Sequence, residues 1–519
     1  MTDELPPGWE LATVGDVAHF VRGVTYSKEH AKKAPAPGLV GILRATNIGD
    51  GLNFDDLVFV PERFVSDEQI VRDGDVVLAM SSGSKSVVGK AAIARSPQRC
   101  GFGAFCGVIR PSQAIVPSLL AYYFQTKAYR NAVSEVSKGS NINNLKAGHI
   151  LERPLPIPPA GEQQRIASKI DELFSRIDEG ERALERVSIL VERYRQAVLK
   201  AAVTGELTRA WREKNKDTLE SGVALLARIL TARREAWEKA ELEKMKAKGI
   251  KPANDKWKEK YKEPAAPDTA GLPDLAQGWT WASLDQIAAP EKYAVTDGPF
   301  GSNLKTEHYT DSGPRVVRLQ NIKDGVFSDV HAHISRAHFD RLKKHHIFAG
   351  DLLISALGES LPRVCLVPPD LGPAIVKADC VRFKTSPLVV SECVMAFLNS
   401  PPSRKRTKTI IHGVGRPRLN LKEIRALVVP VPPEAEQQAI VDQIRTQVGS
   451  VEQLLAETLR FAAQVAAVRQ STLSQAFRGR LVSQDPVDEP ASLLLERIAA
   501  ERGANTSAPK SGRKKKTTA

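Results

Sequence analysis

The chain has 519 residues, 42% hydrophobic and 26% charged, which is too long for one hydrophobic core and predicts two or more domains. Its formal net charge of +14 favours a polyanionic partner such as nucleic acid, with ribosome-associated and merely basic proteins as alternatives of the same charge. No run of about 18 apolar residues offers a membrane span, and the acidic start MTDELPPGWE lacks the apolar core of a signal peptide, so we expect a cytoplasmic protein without a membrane partner.

The first predicted elements are short strands joined by tight turns. After Gly8-Trp9 come LRATNIGDG at 43–51, which ends in an Asp-Gly turn, and VRDGDVVLAM at 71–80, which is rich in β-branched residues. Such runs, bounded by turn residues, are typical of strands in hairpins. We therefore predict a strand-rich domain of about 150 residues, assigned to residues 1–155.

A long helix is predicted next, at residues 156–210. The segment PLPIPPAGEQQRI (154–166) contains Pro158 and Pro159, and proline is tolerated before a helix and in its first turn but not inside it. From Glu162 to Val203 there is no proline, and apolar residues recur at heptad spacing, which predicts that one stripe is buried against another helix. The stripe comprises Ile166, Ile170, Leu173, Ile177, Leu184, Val187, Val191, Tyr194 and Val198.

Residues 211–271 differ in composition from the segments on either side. They are rich in Lys and Glu up to residue 263 and continue into PAAPDTAG, which is typical of a linker. We interpret residues 211–263 as a charged helical spacer that is exposed to solvent.

The rest of the chain repeats the first half in the same order. VRLQNIKDG (317–325), IFAGDLLISA (347–356) and VVPVPPEAEQQAI (428–440) match the blocks above at an offset of about 270 to 276 residues. LLARI (225–229) likewise returns as LLERI (494–498). The repeat predicts a second strand-rich domain at 272–429, a second long helix at 430–483, and a short helix with a basic disordered tail at 484–519. The second apolar stripe comprises Ile440, Ile444, Val451, Leu454, Phe461, Val465 and Val468.

The simplest way to bury each apolar stripe is to pack the two long helices against each other. The predicted fold class is therefore α+β, with two strand-rich domains joined by two long antiparallel coiled-coil helices and an internal pseudo-two-fold repeat.

This ordered duplication resembles the specificity (S) subunits of Type I restriction-modification enzymes. The resemblance rests on the Gly-Trp start, the Asn-Ile-x-Asp-Gly hairpin, the Gly-Asp strand and the P-[IV]-P-P-x-x-E-Q-Q helix start, all present twice, and covers nearly the whole chain. Residues 211–270 and the last forty or so residues carry it least. It implies that the strand-rich domains are target-recognition domains, each of which reads one half of a bipartite, asymmetric sequence in double-stranded DNA.

The resemblance also implies partners and cofactors. The helices dock two modification (methyltransferase) subunits, and restriction (translocase/nuclease) subunits complete the complex. Adenine methylation and DNA restriction take place on those partners. S-adenosylmethionine, ATP and Mg are thus expected on the partner subunits, with no cofactor and no catalytic residue in this chain.

The absence of catalytic and metal-binding motifs from the sequence agrees with a non-catalytic chain. The sequence has no GxxxxGK[ST] phosphate loop and no Asn/Asp-Pro-Pro-aromatic motif of amino-methyltransferases, and GSKSVVGK (83–90) has the wrong lysine spacing. The five cysteines lack metal-ligand spacing, so we predict buried thiols and no metal site.

Candidate DNA-contacting residues lie in polar loops between the strands, because base edges are read by Arg, Lys, Asn and Gln and phosphates by other cations. The two copies share framework residues but differ in these loops, as two different half-sites require. For Lys85, Lys90 and Arg363 a solvated loop is an equal alternative. Asn47 and Asn321 are interpreted as turn residues, and Arg44 and Arg318 as ion-pair or phosphate-contact residues. The candidates are Lys85, Lys90, Lys138, Asn141 and Asn143 in the first copy and Lys305, Arg363, His412, Arg416 and Arg418 in the second.

Two other function classes remain open from the sequence. A coiled-coil scaffold that binds only proteins would need no cationic loops that differ between the copies. A fused restriction-methylation enzyme would need the missing motifs and a further domain. A sequence-specific DNA-binding subunit is the leading hypothesis.

Overall fold

The computed structural model describes residues 5–49, 51–137, 143–412 and 416–507. The chain forms two compact units: unit 1 comprises Met1–Glu185 and Leu459–Ala519, and unit 2 comprises Arg186–Thr458. In the described part of the chain, no helix is long and apolar enough to cross a membrane.

Head 1 (residues 8–157) is the strand-rich part of unit 1. Its helices are α1 (Val14–Val17), α2 (Pro117–Tyr123), α3 (Lys127–Val136) and α4 (Ala147–Leu151). Its strands are β1 (Glu10–Thr13), β2 (Ala18–Arg22), β3 (Leu39–Leu43), β4 (Val58–Pro61), β5 (Val76–Ala79), β6 (Ser81–Ser82), β7 (Ala91–Ile93), β8 (Cys100–Phe102), β9 (Cys106–Pro111), β10 (Asn143–Asn144) and β11 (Pro154–Ile157).

Three further helices follow in chain order: α5 (Ala160–Val203), α6 (Arg209–Asn215) and α7 (Gly222–Ala247). Head 2 (residues 278–431) is the strand-rich part of unit 2. Its helices are α8 (Leu284–Ile287), α9 (Arg336–Arg341), α10 (Ser391–Leu398), α11 (Pro401–Thr407) and α12 (Leu421–Arg425). Its strands are β12 (Thr280–Ser283), β13 (Val295–Asp297), β14 (Tyr309–Val317), β15 (His333–Ile334), β16 (His346–Ile347), β17 (Leu352–Ser355), β18 (Val364–Leu366), β19 (Ala374–Val376), β20 (Cys380–Phe383) and β21 (Val428–Val431). The last helices are α13 (Glu434–Ala476) and α14 (Ala491–Ser507).

The two heads share most of their sheet topology. The antiparallel sheet β2-β9-β5-β7 of head 1 corresponds to β13-β20-β17-β18 of head 2. The parallel pair β3–β8 corresponds to the parallel pair β14–β19, and the antiparallel pair β1–β11 to β12–β21. The duplication read from the sequence is thus a duplication of structure.

The repeated Gly-Asp motif supplies a buried ion pair in each central sheet. Asp75 accepts from the guanidinium of Arg110 on β9, with both bonds at 2.7 Å, and Asp351 accepts from Arg382 on β20 at 2.6 Å. The glycine before each aspartate has a positive φ, +82° at Gly74, which only glycine adopts at low cost. The motif therefore turns the chain into the strand and anchors that strand to its neighbour.

The repeated asparagines are turn residues, as predicted. The side-chain oxygens of Asn47 and Asn321 accept from the backbone N–H of Arg44 and Arg318, both at 2.8 Å. Both asparagines are buried. The guanidinium of Arg44 is paired with Asp56 at 2.7 Å, and that of Arg318 donates to the carbonyl of His331 at 2.9 Å. Both guanidinium groups therefore have a partner within their own head.

The Glu-Gln pair at the start of each long helix joins that helix to its head. The indole N–H of Trp9 donates to Glu162 at 2.9 Å, and that of Trp279 donates to Glu436 at 2.8 Å. The next residue, Gln163 or Gln437, accepts from a backbone N–H at the start of a head helix, at 3.1 Å and 2.8 Å. The repeated Trp and Glu-Gln motifs are therefore partners in space.

The long helices run antiparallel within each unit. In unit 1, Ile170 and Phe174 of α5 pack against Leu473 and Ala476 of α13. In unit 2, Ala202 and Val203 of α5 pack with Ile440 and Val441 of α13. A second contact in each unit gives the direction: Arg469 of α13 donates to Asp178 of α5 in unit 1, and Tyr194 of α5 lies 3.5 Å from Gln447 of α13 in unit 2. Within each unit, residue numbers therefore rise along one helix as they fall along the other. The predicted fold class, α+β with two strand-rich domains and two long antiparallel helices, is confirmed.

The predicted apolar stripe is wrong in part. Tyr194, Leu454, Phe461 and Val468 are exposed, whereas the other predicted members of the first stripe are buried or half-buried. A contact between two helices buries only a narrow seam. On α13 this seam includes polar and long charged side chains. A prediction from apolar residues alone does not include them. The buried and half-buried residues of α13 at heptad spacing are Val448, Val451, Leu455, Thr458, Val465, Arg469 and Thr472.

The interpretation of residues 211–263 as a solvated spacer is wrong. Leu225 and Ile229 of α7, one helical turn apart, are buried in the core of head 2. Trp257 is buried and stacks on Trp237 at a centroid distance of 6.1 Å. The Lys and Glu content hides the short apolar stretch that docks this helix.

The short helix after the second repeat docks in the same way. Leu494 and Ile498 of α14 are buried in the core of head 1. The backbone N–H of Ala491 donates to the carbonyl of Gly8 at 2.8 Å, just as that of Gly222 donates to Gly278 at 2.6 Å. Each head is therefore covered by the helix that follows the other repeat's long helix. The predicted tail from 508 onwards lies outside the described residues.

All five cysteines are buried, as predicted. Burial raises the pKa of each thiol, to about 11 for Cys100 and about 12 for Cys106. The cysteines therefore pack as small apolar side chains.

Candidate nucleic-acid interface

Each head carries a short two-stranded edge beyond its central sheet. We call residues 80–82 with 143–145 the head 1 edge, and residues 356–358 with 417–419 the head 2 edge. In head 1, β6 pairs with β10, so that Asn143 faces Ser82 and Asn144 faces Ser81. In head 2, Leu357 pairs with Arg418, and the N–H of Gly358 donates to the carbonyl of Pro417 at 3.1 Å. The candidate loops of both heads adjoin these edges.

Lys85 and Lys90 are exposed in the loop between β6 and β7. Arg130 on α3 anchors this loop, because its guanidinium donates to the carbonyl of Val88 at 2.9 Å and to that of Ser86 at 2.8 Å. The loop thus holds two cations in solvent beside the head 1 edge. Lys138 and Asn141 lie outside the described residues.

Asn143 is not placed as expected for a DNA contact. It is 5% exposed, and its side-chain amide lies 3.5 Å from the carbonyls of Ser82 and Gly83. Successive side chains of a strand point to opposite faces, so the neighbouring Asn144 is the exposed one. Asn144 is not among the residues predicted to contact DNA, although it ends the polar run at 138–144.

Arg418 is held in position on the head 2 edge. Its guanidinium nitrogen lies 2.7 Å from a carboxylate oxygen of Asp379, and the group is 5.6 Å from the ring centroid of Phe300. The side chain is still 49% exposed. Asp379 has a φ of +67°, so a turn that side chains rarely adopt brings its carboxylate here.

His412 and Arg418 close a hairpin, because each accepts the other's backbone N–H, at 2.9 Å and 3.2 Å. The imidazole of His412 lies 2.8 Å from the carboxylate of Glu423 on α12 and is otherwise exposed. Arg416 is exposed on the same hairpin. Residues 413–415 lie outside the described residues.

Lys305 and Arg363 are the other two candidates in head 2, and the guanidinium of Arg363 lies beside Gly358 of the head 2 edge. Lys305 is exposed, with its ammonium 3.7 Å from Glu307. Arg363 is half-buried, and its backbone exchanges hydrogen bonds with Ser355, its N–H donating to the hydroxyl oxygen at 3.0 Å. Neither residue lines the groove described next.

A groove of about 370 Å³ runs beside the head 2 edge. It places a cation, an aromatic ring and carboxylates within one open surface, a combination that suits base edges: Arg pairs with guanine, carboxylates accept from cytosine, and apolar groups contact the thymine methyl. Its polar and aromatic lining includes Asp297, Phe300, Asp379, His412, Arg418 and Glu423. Among the described residues, no group of three or more His, Cys, Asp and Glu side chains is arranged to hold a metal ion.

Known proteins resemble this chain along most of its length. Residues 6–186 match the family model of the Type I restriction modification DNA specificity domain. The Type I restriction enzyme EcoKI specificity subunit of Escherichia coli (strain K12) is 30% identical to this chain over 99% of both sequences. The StySPI specificity subunit of Salmonella potsdam is 46% identical over 41% of this chain and 46% of its own.

A solved structure supports the same fold. A chain from work on complex assembly and conformational transition of the type I R-M system aligns with 92% of this chain and 100% of its own length. The TM-score is 0.60 at 16% identity.

Proposed function

Because this chain belongs to the specificity subunits of Type I restriction-modification enzymes, we propose that it selects the DNA sequence on which such a complex acts. Head 1 reads one half of a bipartite, asymmetric target in double-stranded DNA, and head 2 reads the other half. The chain itself performs no chemistry. Methylation of adenine and cleavage are carried out by partner subunits, which bind the S-adenosylmethionine, ATP and Mg that those reactions use.

The main support for this proposal is that the two heads share the same buried framework of contacts but have different polar residues at their equivalent edges. The buried ion pairs, turn asparagines and Trp–Glu contacts recur in both heads. The exposed side chains of the edges do not recur. A reader of two unlike half-sites needs a common support and different base contacts.

Partner docking is supported by apolar side chains on the long helices. In unit 1, two apolar side chains of α13 are exposed: Phe461 at 59% and Val468 at 50%. In unit 2, Ile189 and Leu190 of α5 are exposed as well. Apolar side chains grouped on a helix surface are typical of protein interfaces. We assign these surfaces to two modification subunits, with restriction subunits completing the complex.

A scaffold that binds only proteins is not favoured, because the matched family model describes a DNA specificity domain. The discriminating experiment is a duplex-binding titration with the chain assembled with the modification subunits of its host. The logarithm of the association constant should fall linearly with the logarithm of the salt concentration, with a slope of about −0.9 for each phosphate neutralised. The complex should also prefer one sequence over random duplex. Equal, salt-independent binding of all duplexes would contradict the proposal.

A further inference from the structure

We infer that Asn144 and Arg418 are equivalent base-reading positions, through which head 1 contacts an adenine and head 2 a guanine. The inference rests on the proposed function and adds to it the residue and the base in each half-site. It also assigns Asn144, which no sequence motif singles out.

The equivalence follows from backbone bonds. In head 1, the N–H of Leu145 donates to the carbonyl of Met80 at 2.8 Å. In head 2, the N–H of Leu419 donates to the carbonyl of Ala356 at 2.9 Å. Both leucines are buried, and a short helix starts two residues later in each head, α4 at Ala147 and α12 at Leu421. Asn144 and Arg418 are the residues directly before these leucines.

The same bonds decide which way the two side chains point. On an extended strand, neighbouring side chains alternate between faces. Leu145 and Leu419 enter the cores of their heads, so the preceding residue points outward. Asn144 is exposed and Arg418 is 49% exposed, whereas the residue before each, Asn143 or Pro417, is buried or half-buried.

The chemistry of the two side chains matches two different bases. An asparagine amide forms paired hydrogen bonds with N6 and N7 of adenine, and an arginine guanidinium with O6 and N7 of guanine. Asp379 lies against one guanidinium nitrogen of Arg418, and a guanidinium has five N–H donors, so donors remain for a base. Asp379 and Phe300 hold the group in place before DNA binds, which lowers the conformational entropy lost on binding.

The competing interpretation is that Arg418 serves only its surface ion pair with Asp379. An ion pair of that exposure contributes little to stability, and it does not explain why Asn144 occupies the same position in head 1. Base reading accounts for both residues: the frame is shared and the hydrogen-bonding group differs.

The test is selection of duplexes from a pool with both half-sites randomised, using the chain assembled with its modification subunits. Arg418→Asn should reduce the preference for guanine at one base pair of one half-site by on the order of 10- to 100-fold. Asn144→Arg should do the same for adenine at one base pair of the other half-site. Each variant should leave the remaining positions unchanged.

Controls separate this result from misfolding. Arg336→Asn, on the exposed face of α9 in the same head, should leave both half-sites unchanged. Should Arg418→Asn fail to assemble, Arg418→Lys keeps the charge but loses the two-pronged geometry and should relax the same base pair.

Three outcomes overturn the inference: unchanged half-sites in both variants, relaxation of both halves by one variant, or affected bases other than adenine for Asn144 and guanine for Arg418. In each of them the wild-type complex still selects a bipartite sequence, so the proposed function stands. Selection of no sequence by the wild-type complex would instead contradict the proposed function.

Discussion

Glu162 and Glu436 lie at equivalent positions in the first turns of the two long helices, yet only the tryptophan contact is common to their carboxylates. Both accept from a tryptophan indole N–H. Glu436 also accepts from the hydroxyl of Thr208 at 2.7 Å and from Arg212 at 2.5 Å. Within the described part of the chain, the second oxygen of Glu162 is buried without a hydrogen-bond partner. Burial raises the pKa of Glu162 above its ordinary value of 4.5.

We predict opposite effects of one substitution at these two sites. A raised pKa means that folded unit 1 holds the proton of Glu162 more tightly than the unfolded chain does. The resulting stability is fully present below the unfolded pKa of about 4.5 and is lost as pH rises through the folded pKa. Glu162→Gln should therefore be more stable than wild type at pH 7, with an advantage that shrinks towards pH 4.5.

Glu436→Gln is the matched comparison. It removes the charged acceptor of the largely buried Arg212 and should lower stability at pH 7. Denaturant unfolding of both variants across this pH range measures the difference. Equal destabilisation by both substitutions at pH 7 would refute the assignment.

The buried ion pair of Asp351 and Arg382 should contribute more to stability than an exposed ion pair in the same head. Asp351→Asn weakens the 2.6 Å contact to the buried guanidinium of Arg382 and leaves Glu291, 3.1 Å away, as the remaining carboxylate partner, so it should cost about 1.5 to 3 kcal/mol of folding free energy. Asp340→Asn, in the exposed pair with Arg336 on α9 of the same head, should cost less than about 1 kcal/mol. Chemical denaturation of the two variants provides the comparison, and equal losses would show that the buried pair does not anchor the sheet.

The residues around the candidate interface show where sequence reasoning stops. The turn role of Asn47 is predictable, because an asparagine before a Gly-rich turn bonds its own local backbone. The choice between Asn143 and Asn144 is not, because β10 has two residues, too few for alternation to be read, and its partner strand lies about 60 residues earlier. Tertiary pairing decides which amide reaches solvent.

At the scale of elements, the docking of α7 and α14 differs most from the sequence-based prediction. A short apolar pair one turn apart, Leu225 with Ile229 or Leu494 with Ile498, fixes each helix to a head. The surrounding Lys and Glu residues suggest solvent on every face. The average composition of about 50 residues does not show a contact that only two residues make. The repeat of LLARI as LLERI is the sequence feature that indicates this contact.

We predict that Leu494 contributes to the stability of unit 1 far more than its neighbour Leu493. Leu494 is 2% exposed and Leu493 is 45% exposed on the same helix. Leu494→Ala should cost about 2 to 5 kcal/mol, because it removes buried methyl groups and leaves a cavity. Leu493→Ala should cost less than about 1 kcal/mol. Thermal unfolding of the two variants decides the point, and a similar loss for both would mean that α14 does not dock through this face.

At the scale of the whole molecule, two copies of one frame carry different side chains where DNA is expected to bind. The frame is predictable from sequence because the same Gly-Asp, Asn-Ile and Glu-Gln motifs occur twice in one order. The base contacts are less predictable, since hairpin pairing, as of His412 with Arg418, sets which loop side chain faces outward. The two heads should therefore read their half-sites independently.

Mapping of N6-methyladenine in the host genome, with and without the gene, measures whether the two heads choose the methylated sequence. We expect one bipartite motif, with two specified halves around an unread gap, that is methylated in the intact strain, unmethylated in the deletion strain, and restored by the complementing gene. Complementation with Arg418→Asn should return the head 1 half unchanged and alter the head 2 half. An identical set of methylated sites with and without the gene would show that this chain does not select them.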